Sequence, residues 1–401
     1  MSLVECPECN KQVSKNVKAC PNCGVIIDCQ IVQAAGSGDL EKVIRLLDNG
    51  SAIDAVDWHG ETALIEASVN GHIGIVKYLL ERGADPYHRD NDGESALSKS
   101  SWHEDDQAVR FLLESVDGWQ YEDLRTVLGR AIMKDWRDLV SVLVKEVGAD
   151  GPVFNAFDTP LTLAATFNRP SVVSILLENG ADIDKKGQFQ AGEDKSTALC
   201  IATGAGHKEI VRLLLEHGAN PNSDTDFWTP LGLATTNGYI DIVRLLLEHG
   251  AQVDLRFGEN VEDQGIKHGP WTALLECRFA FPELIADLLL KHGADVNARD
   301  GQGATLLILT THSGRDYPLN WIRFLLNNGA TVNAQRKDGR TALMGACSWK
   351  RTDVVELLLE RGANPNVKDC HSWRAIDCAY RNSEIVGLLK RYGAKRWWWP
   401  F

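Results

Sequence analysis

No apolar run in the 401 residues reaches the ~18 that a membrane-spanning helix needs. The first residues, Met-Ser-Leu-Val-Glu-Cys, carry no basic region, no apolar core and no cleavage site, so no secretory leader is expected. Ten cysteines in a chain of this length are too sparse for a small disulfide-held scaffold. Positive charge is not in excess either. The net charge of −13 argues against a nucleic-acid backbone or an anionic lipid surface as the main partner. Catalytic signatures are missing as well: there is no phosphate loop, no Gly-x-Ser-x-Gly elbow and no His-Glu-x-x-His. What remains is a chain expected to be soluble and cytoplasmic. Its composition, 44% hydrophobic and 24% charged, is that of ordinary globular proteins.

The few cysteines are unevenly placed. Cys6-Pro-Glu-Cys9 and Cys20-Pro-Asn-Cys23 put two Cys-x-x-Cys pairs ten residues apart. Each pair can hold one edge of a cation in a tight turn, and two such turns close a tetrahedron of sulfur suited to Zn²⁺. With all four positions filled by thiolates no water site is left, so Cys6, Cys9, Cys20 and Cys23 are expected to hold a structural zinc. Disulfides or a redox pair are the alternatives, but no secretion signal and no thioredoxin-like pattern accompany them. Residues 6–24 resemble the short zinc-ribbon family, which implies a small ribbon fold without implying one function. Lys11, Lys15 and Lys18 balance Glu5, Glu8 and Asp28, so 1–28 is neutral and lacks the basic stripe of a nucleic-acid binder.

Beyond residue 29 the chain repeats itself. Thr62-Ala-Leu64, Thr159-Pro-Leu161, Thr197-Ala-Leu199, Thr229-Pro-Leu231, Thr272-Ala-Leu274 and Thr341-Ala-Leu343 share one pattern. Nineteen residues after each leucine stands a glycine followed by alanine: Gly83, Gly180, Gly218, Gly250, Gly293 and Gly362. Threonine before Pro or Ala suits a helix start, with the hydroxyl as cap. An apolar second helix then ends at Gly-Ala, where glycine accepts a left-handed cap. One such unit cannot bury its own apolar face, whereas a stack buries a continuous core.

These marks resemble the ankyrin repeat, with its period of about 33. The resemblance implies an all-α repeat solenoid of helix-turn-helix units with β-turn tips, preceded by the small zinc ribbon. About eleven units are expected, starting near 29, 58, 91, 121, 155, 195, 227, 269, 301, 338 and 371. Those at 91, 121 and 301 are degenerate. The division is then 1–28 ribbon, 29–396 solenoid and 397–401 aromatic tail.

Such arrays bind partners along the turn tips and first helices. The position three before the motif leucine holds Trp228, Trp271, Arg340 and Trp373. Later positions on that face add Trp102, Phe167, Phe279 and Trp349. Trp and Arg are enriched at binding hot spots, although a Trp packed on its own repeat is an equal expectation for each. Two tips are lengthened: Leu161 to Leu199 spans 38 residues and Leu231 to Leu274 spans 43, through insertions at 185–194 and 255–268. Each is either a functional loop or tolerated drift.

His72, His207, His217, His249 and His292 occupy recurring slots and are expected to be structural. Cys29, Cys200, Cys277, Cys347, Cys370 and Cys378 show no ligand spacing. The basic tail ending Trp397-Trp398-Trp399-Pro400-Phe401 reads as a plug on the last repeat, a docking motif or an interfacial anchor. Residues 29–386 then carry −17, since 387–401 hold four cations and no acid. The sequence therefore predicts a non-enzymatic scaffold binding another protein with a basic surface. The alternative is a nucleic-acid-associated adaptor acting through the ribbon.

Overall fold

A computed structural model describes residues 3–5, 11–14, 22, 30–153, 158–188, 195–223, 228–258, 262–263, 266–267, 269–278, 283–314, 317–379 and 382–395. The chain divides into two compact units, Met1–Asp182 and Ile183–Phe401.

The first unit opens on an antiparallel hairpin, β1 (Leu3–Glu5) with β2 (Gln12–Ser14), in which Val4 faces Val13. Five helix pairs follow. They are α1 (Gln30–Gly36) with α2 (Leu40–Asp48), α3 (Ala63–Val69) with α4 (Ile73–Glu81), and α5 (Ala96–Ser100) with α6 (Gln107–Ser115). The fourth pair is α7 (Tyr121–Lys134) with α8 (Arg137–Val147), and the fifth is α9 (Pro160–Thr166) with α10 (Pro170–Glu178).

The second unit begins with a short hairpin, β3 (Gly187–Gln188) and β4 (Lys195–Ser196). Next come α11 (Ala198–Ala205) with α12 (Lys208–Glu216), and α13 (Pro230–Thr236) with α14 (Ile240–Glu248). A second hairpin, β5 (Glu262–Asp263) with β6 (Ile266–Lys267), precedes α15 (Ala273–Glu276) and α16 (Glu283–Lys291). The unit closes with α17 (Leu306–His312) and α18 (Leu319–Asn327), α19 (Ala342–Ser348) and α20 (Thr352–Glu360), and α21 (Ala375–Cys378) and α22 (Ser383–Arg391). Both lengthened tips thus contain hairpins.

The repeating threonine starts the first helices as its chemistry dictates. The hydroxyls of Thr62, Thr197, Thr229, Thr272 and Thr341 each accept the backbone N–H three residues on. Thr159 and Thr162 form a reciprocal capping box, and Ser95 with Ser98 does the same in a repeat whose motif had faded. Second helices end as Gly83 illustrates. Its φ of 87° lets its N–H reach Leu80 O at 3.0 Å while Ala84 N reaches Leu79 O at 3.0 Å.

Within each unit, first helices pack on first helices and second on second: α1 on α3, α3 on α5, α11 on α13, α17 on α19. Leu64, Leu79, Leu97, Leu112, Leu128 and Ile132 are fully buried in the first stack. Small residues such as Ala67 and Ala202 keep neighbouring first helices close.

Candidate protein-binding face

Between consecutive helix pairs the chain makes tips that share one construction. Asp57 Oδ1 accepts the N–H groups of His59 and Glu61 at 2.9 Å each. Asp90 does this with Asp92 and Glu94, Asp300 with Gln302 and Ala304, and Asp369 with His371 and Trp373. The carboxylate replaces backbone partners inside a turn, as short acidic side chains do well. Adjacent tips are joined directly: Asn91 N donates to His59 O at 2.9 Å. The tips and first helices thus present ordered side chains from neighbouring repeats.

In the first unit this face carries a charge network. Lys99 Nζ lies 2.8 Å from Glu61, 2.9 Å from Asp90 and 3.8 Å from Glu94. Arg130 reaches Glu94 at 2.7 Å and stacks over the Trp102 ring, 4.0 Å from its centroid. Trp102 Nε1 donates to Glu94 at 3.2 Å, so the indole is held from two sides while it stays 59% exposed. Trp58, also exposed, lies against His59 with ring centroids 3.6 Å apart.

Burial alone would lower the Lys99 pKa, but hydrogen bonds to Glu61 and Asp90 hold it above its ordinary value. Asp90 is pulled below the usual range by Lys99 and the Glu94 N–H, against the effect of its burial. Glu66 goes the other way. Burial, then the neighbouring Glu61 and Asp57 carboxyls, push its pKa up to about 7. One oxygen from each of Asp57, Glu61 and Glu66 falls within 4.8 Å of the others. Lys99 binds Glu61, the tip N–H groups bind Asp57, and Glu66 accepts from Asn70 Nδ2 at 2.9 Å, so the cluster is tied into the turn and the helix behind it.

In the second unit the aromatic positions differ in fate. The rings of Trp228 and Phe257 lie 5.3 Å apart, and Phe257 pairs with Trp271 through mutual backbone hydrogen bonds. Phe257 fills the space that Gly232 leaves open, where a Cβ would come 2.6 Å from its ring. The Arg278 guanidinium covers Trp271 at 3.6 Å. Trp271 is only 8% exposed as a result, so the expected groove residue is instead part of the stack. Trp228 is half-buried.

Arg340, Trp349 and Trp373 do face solvent. Arg340 is 42% exposed, with Asp369 at 3.8 Å and Asp338 at 4.0 Å. Trp373 is 52% exposed at its tip. Trp349 closes α19, donates to His312 O at 3.0 Å and walls a cleft of about 590 Å³ with Thr310, Tyr317, Arg351 and Val354. Phe167 follows α9 as its C-cap and is exposed.

Phe279, the four cysteines Cys6, Cys9, Cys20 and Cys23, and the tail Trp397–Trp399 lie outside the described residues. The recurring histidines act within the repeats. His217, His249 and His292 place Nδ1 2.8–2.9 Å from the carbonyl four residues back, and His72 Nε2 lies 3.1 Å from Gly36 O. Cys200, Cys277 and Cys347 are buried, and burial pushes each thiol pKa up, away from a reactive thiolate. Sequence reasoning missed Lys99, Glu66 and Glu276, the last a buried carboxylate at the end of α15 with Arg278 at 3.4 Å. All three stand four residues after a helix cap, in first helices that are otherwise apolar or small, and that was the available signal.

Ankyrin repeats (three copies) are the family whose sequence model matches, at residues 31–122, 97–187, 187–256 and 275–369. The chain is 31% identical over 198 residues to the ankyrin repeat and KH domain-containing protein mask-1 of Caenorhabditis elegans, covering 49% of this chain and 6% of that protein. It is 35% identical over 104 residues to the B-cell lymphoma 3 protein homolog of Mus musculus, covering 26% of this chain and 22% of that one. Over 214 residues it is 29% identical to an L-asparaginase of Dirofilaria immitis, covering 52% of this chain and 30% of that enzyme. The matches thus span under a third of each relative's own length. Among solved structures, the ankyrin repeat domain of Bcl-3 superposes with a TM-score of 0.50 at 26% identity, covering 58% of this chain and 98% of that one.

Proposed function

The chain belongs to the ankyrin-repeat family, and on that premise we propose that it is a non-enzymatic scaffold whose tips and first helices bind a partner protein. In the first unit the partner presents a basic surface. The observation that carries this is Trp102, a large exposed ring held by Arg130 and by the partly exposed carboxylate of Glu94. A fixed aromatic anchor costs little entropy to engage, and the excess of acid over base attracts cations. The exposed Asp92, Glu104 and Asp105 extend that sign. The buried thiols, with raised pKa values, support the non-enzymatic reading. Among the described residues, no helix is long and apolar enough to cross a membrane.

Binding of a fluorescein-labelled Lys-Leu peptide to the full chain, followed by anisotropy, tests this. Affinity should fall with added salt and weaken about tenfold in Trp102→Ala. Salt-independent binding, or binding indifferent to Trp102, would remove the proposal. Zinc at Cys6, Cys9, Cys20 and Cys23 is a separate proposal that rests on the spacing of those four residues. Bound there, zinc would tie the first residues of the chain together rather than act on a substrate.

A further inference from the structure

The tips change sign between the units. The residue whose N–H bonds the carbonyl four positions on is Asp57, Asp90, Asp300 or Asp369 in four tips, and Arg336 in a fifth. A guanidinium therefore stands where the other tips use a carboxylate to build the turn. The turn survives because Arg340 N turns to Asp338 Oδ1 at 3.1 Å. Its neighbours follow the same drift. Segments 299–304, 335–341 and 368–374 hold Arg299, Arg336, Lys337, Arg340, Lys368 and Arg374 against Asp300, Asp338 and Asp369. Asp300 and Asp369 are buried beneath their turns, which leaves Asp338 to face solvent. In the matching segments of the first unit, 57–62 and 89–95, Asp57, Glu61 and Asp90 are buried in the same way, and the charges left toward solvent are Asp92 and Glu94 against Arg89.

These three tips form one edge. Lys337 N donates to Gln302 O at 3.0 Å, Cys370 N to Asp338 O at 2.8 Å, and Arg299 Nη1 to Gln335 O at 2.7 Å. The cations thus line a continuous ladder that ends at the exposed indole of Trp373.

We propose that this edge is a second docking surface and that its occupant is an acidic, extended segment of a partner protein, with an apolar side chain set on Trp373. The inference rests on the reading of tips as binding surface, but it needs the opposite charge. Local sign decides here because fields are screened beyond ~8 Å at physiological salt. A nucleic acid fits less well. Its charge continues past the patch into a chain of net −13, and Trp373 offers one stacking platform rather than a row.

The test uses the full chain and three fluorescein-labelled probes: a Glu-Leu peptide, its Gln-Leu counterpart, and an oligothymidylate. The Glu-Leu peptide should bind, and the Gln-Leu peptide at least about tenfold more weakly. Lys337→Glu with Lys368→Glu, and separately Trp373→Ala, should each weaken the Glu-Leu peptide by about tenfold at unchanged melting temperature. Equal affinity for the two peptides, or insensitivity to both variants, overturns the proposal. Tighter oligothymidylate binding with the same sensitivity overturns the choice of partner. The Lys-Leu peptide is measured alongside. If it binds while the Glu-Leu peptide does not, this inference falls and the earlier reading stands; the reverse pattern removes only the earlier one.

Discussion

Lys99 and Glu61 meet at 2.8 Å although 38 residues separate them, and both side chains are largely buried. The pair ties the tip of one repeat to the first helix of the next. Removing Lys99 would leave Glu61, Asp90 and Glu94 crowded without their cation. Lys99→Met should destabilise the first unit by about 3 kcal/mol. Adding Glu61→Gln should recover part of that loss. Urea unfolding of the single and double variants measures both, and additive losses would show that the two side chains are not coupled.

Glu66 responds to pH with a definite sign. Its folded pKa of about 7 lies above the ordinary 4.5, so the folded state holds the proton more tightly than the unfolded chain. Stability should therefore fall as pH rises between about 4.5 and 7. Glu66→Gln removes that slope. At pH 8 the variant should be more stable than the parent by about 1–2 kcal/mol, and at pH 4 nearly equal to it. A parallel loss at both pH values would contradict the raised pKa.

The helix pairs were legible because caps and turns are local chemistry. Thr62 or Gly83 acts on neighbours within four residues, so spacing alone reveals them. The degenerate repeats were harder for the same reason. Ser95 caps through Ser98, outside the threonine pattern, and Thr305 starts α17 without a side-chain cap bond. The face was legible only in part. Trp271 and Trp373 occupy the same slot, yet one is covered by Arg278 and tied to Phe257 from a lengthened tip, while the other is open. That difference comes from residues in other segments, which periodicity does not report. Arg336 was visible in the sequence and lacked meaning until the tip register showed whose place it takes.

Thiol reactivity should separate the described cysteines by burial. Cys370 is exposed, whereas Cys277 and Cys347 sit inside the stack with thiol pKa values pushed up by burial. Iodoacetamide labelling of the native chain, resolved by peptide mass spectrometry, should modify Cys370 well before either. Denaturant should equalise the three. Early labelling of Cys347 would mean that α19 opens locally without global unfolding.

Zinc is expected at one ion per chain by elemental analysis. Cys6→Ser with Cys20→Ser should abolish it. The helical circular dichroism should be retained, because the helix pairs begin at Gln30 and the four thiols lie before them. Metal content that survives both substitutions would remove these residues as ligands.

Trp102 and Trp271 offer the sharpest contrast between binding and folding. Both stack with an arginine, at 4.0 Å from Arg130 and 3.6 Å from Arg278. Trp102 keeps most of its ring in solvent, so Trp102→Ala should shift the unfolding midpoint little while weakening the Lys-Leu peptide about tenfold. Trp271 has lost nearly all contact with solvent, so Trp271→Ala should cost about 3 kcal/mol through the cavity it leaves. Peptide affinity at the first unit should then be unchanged in any Trp271→Ala protein that remains folded. If Trp102→Ala were instead the destabilising change, its indole would be a structural strut, and the acidic face would lose its anchor.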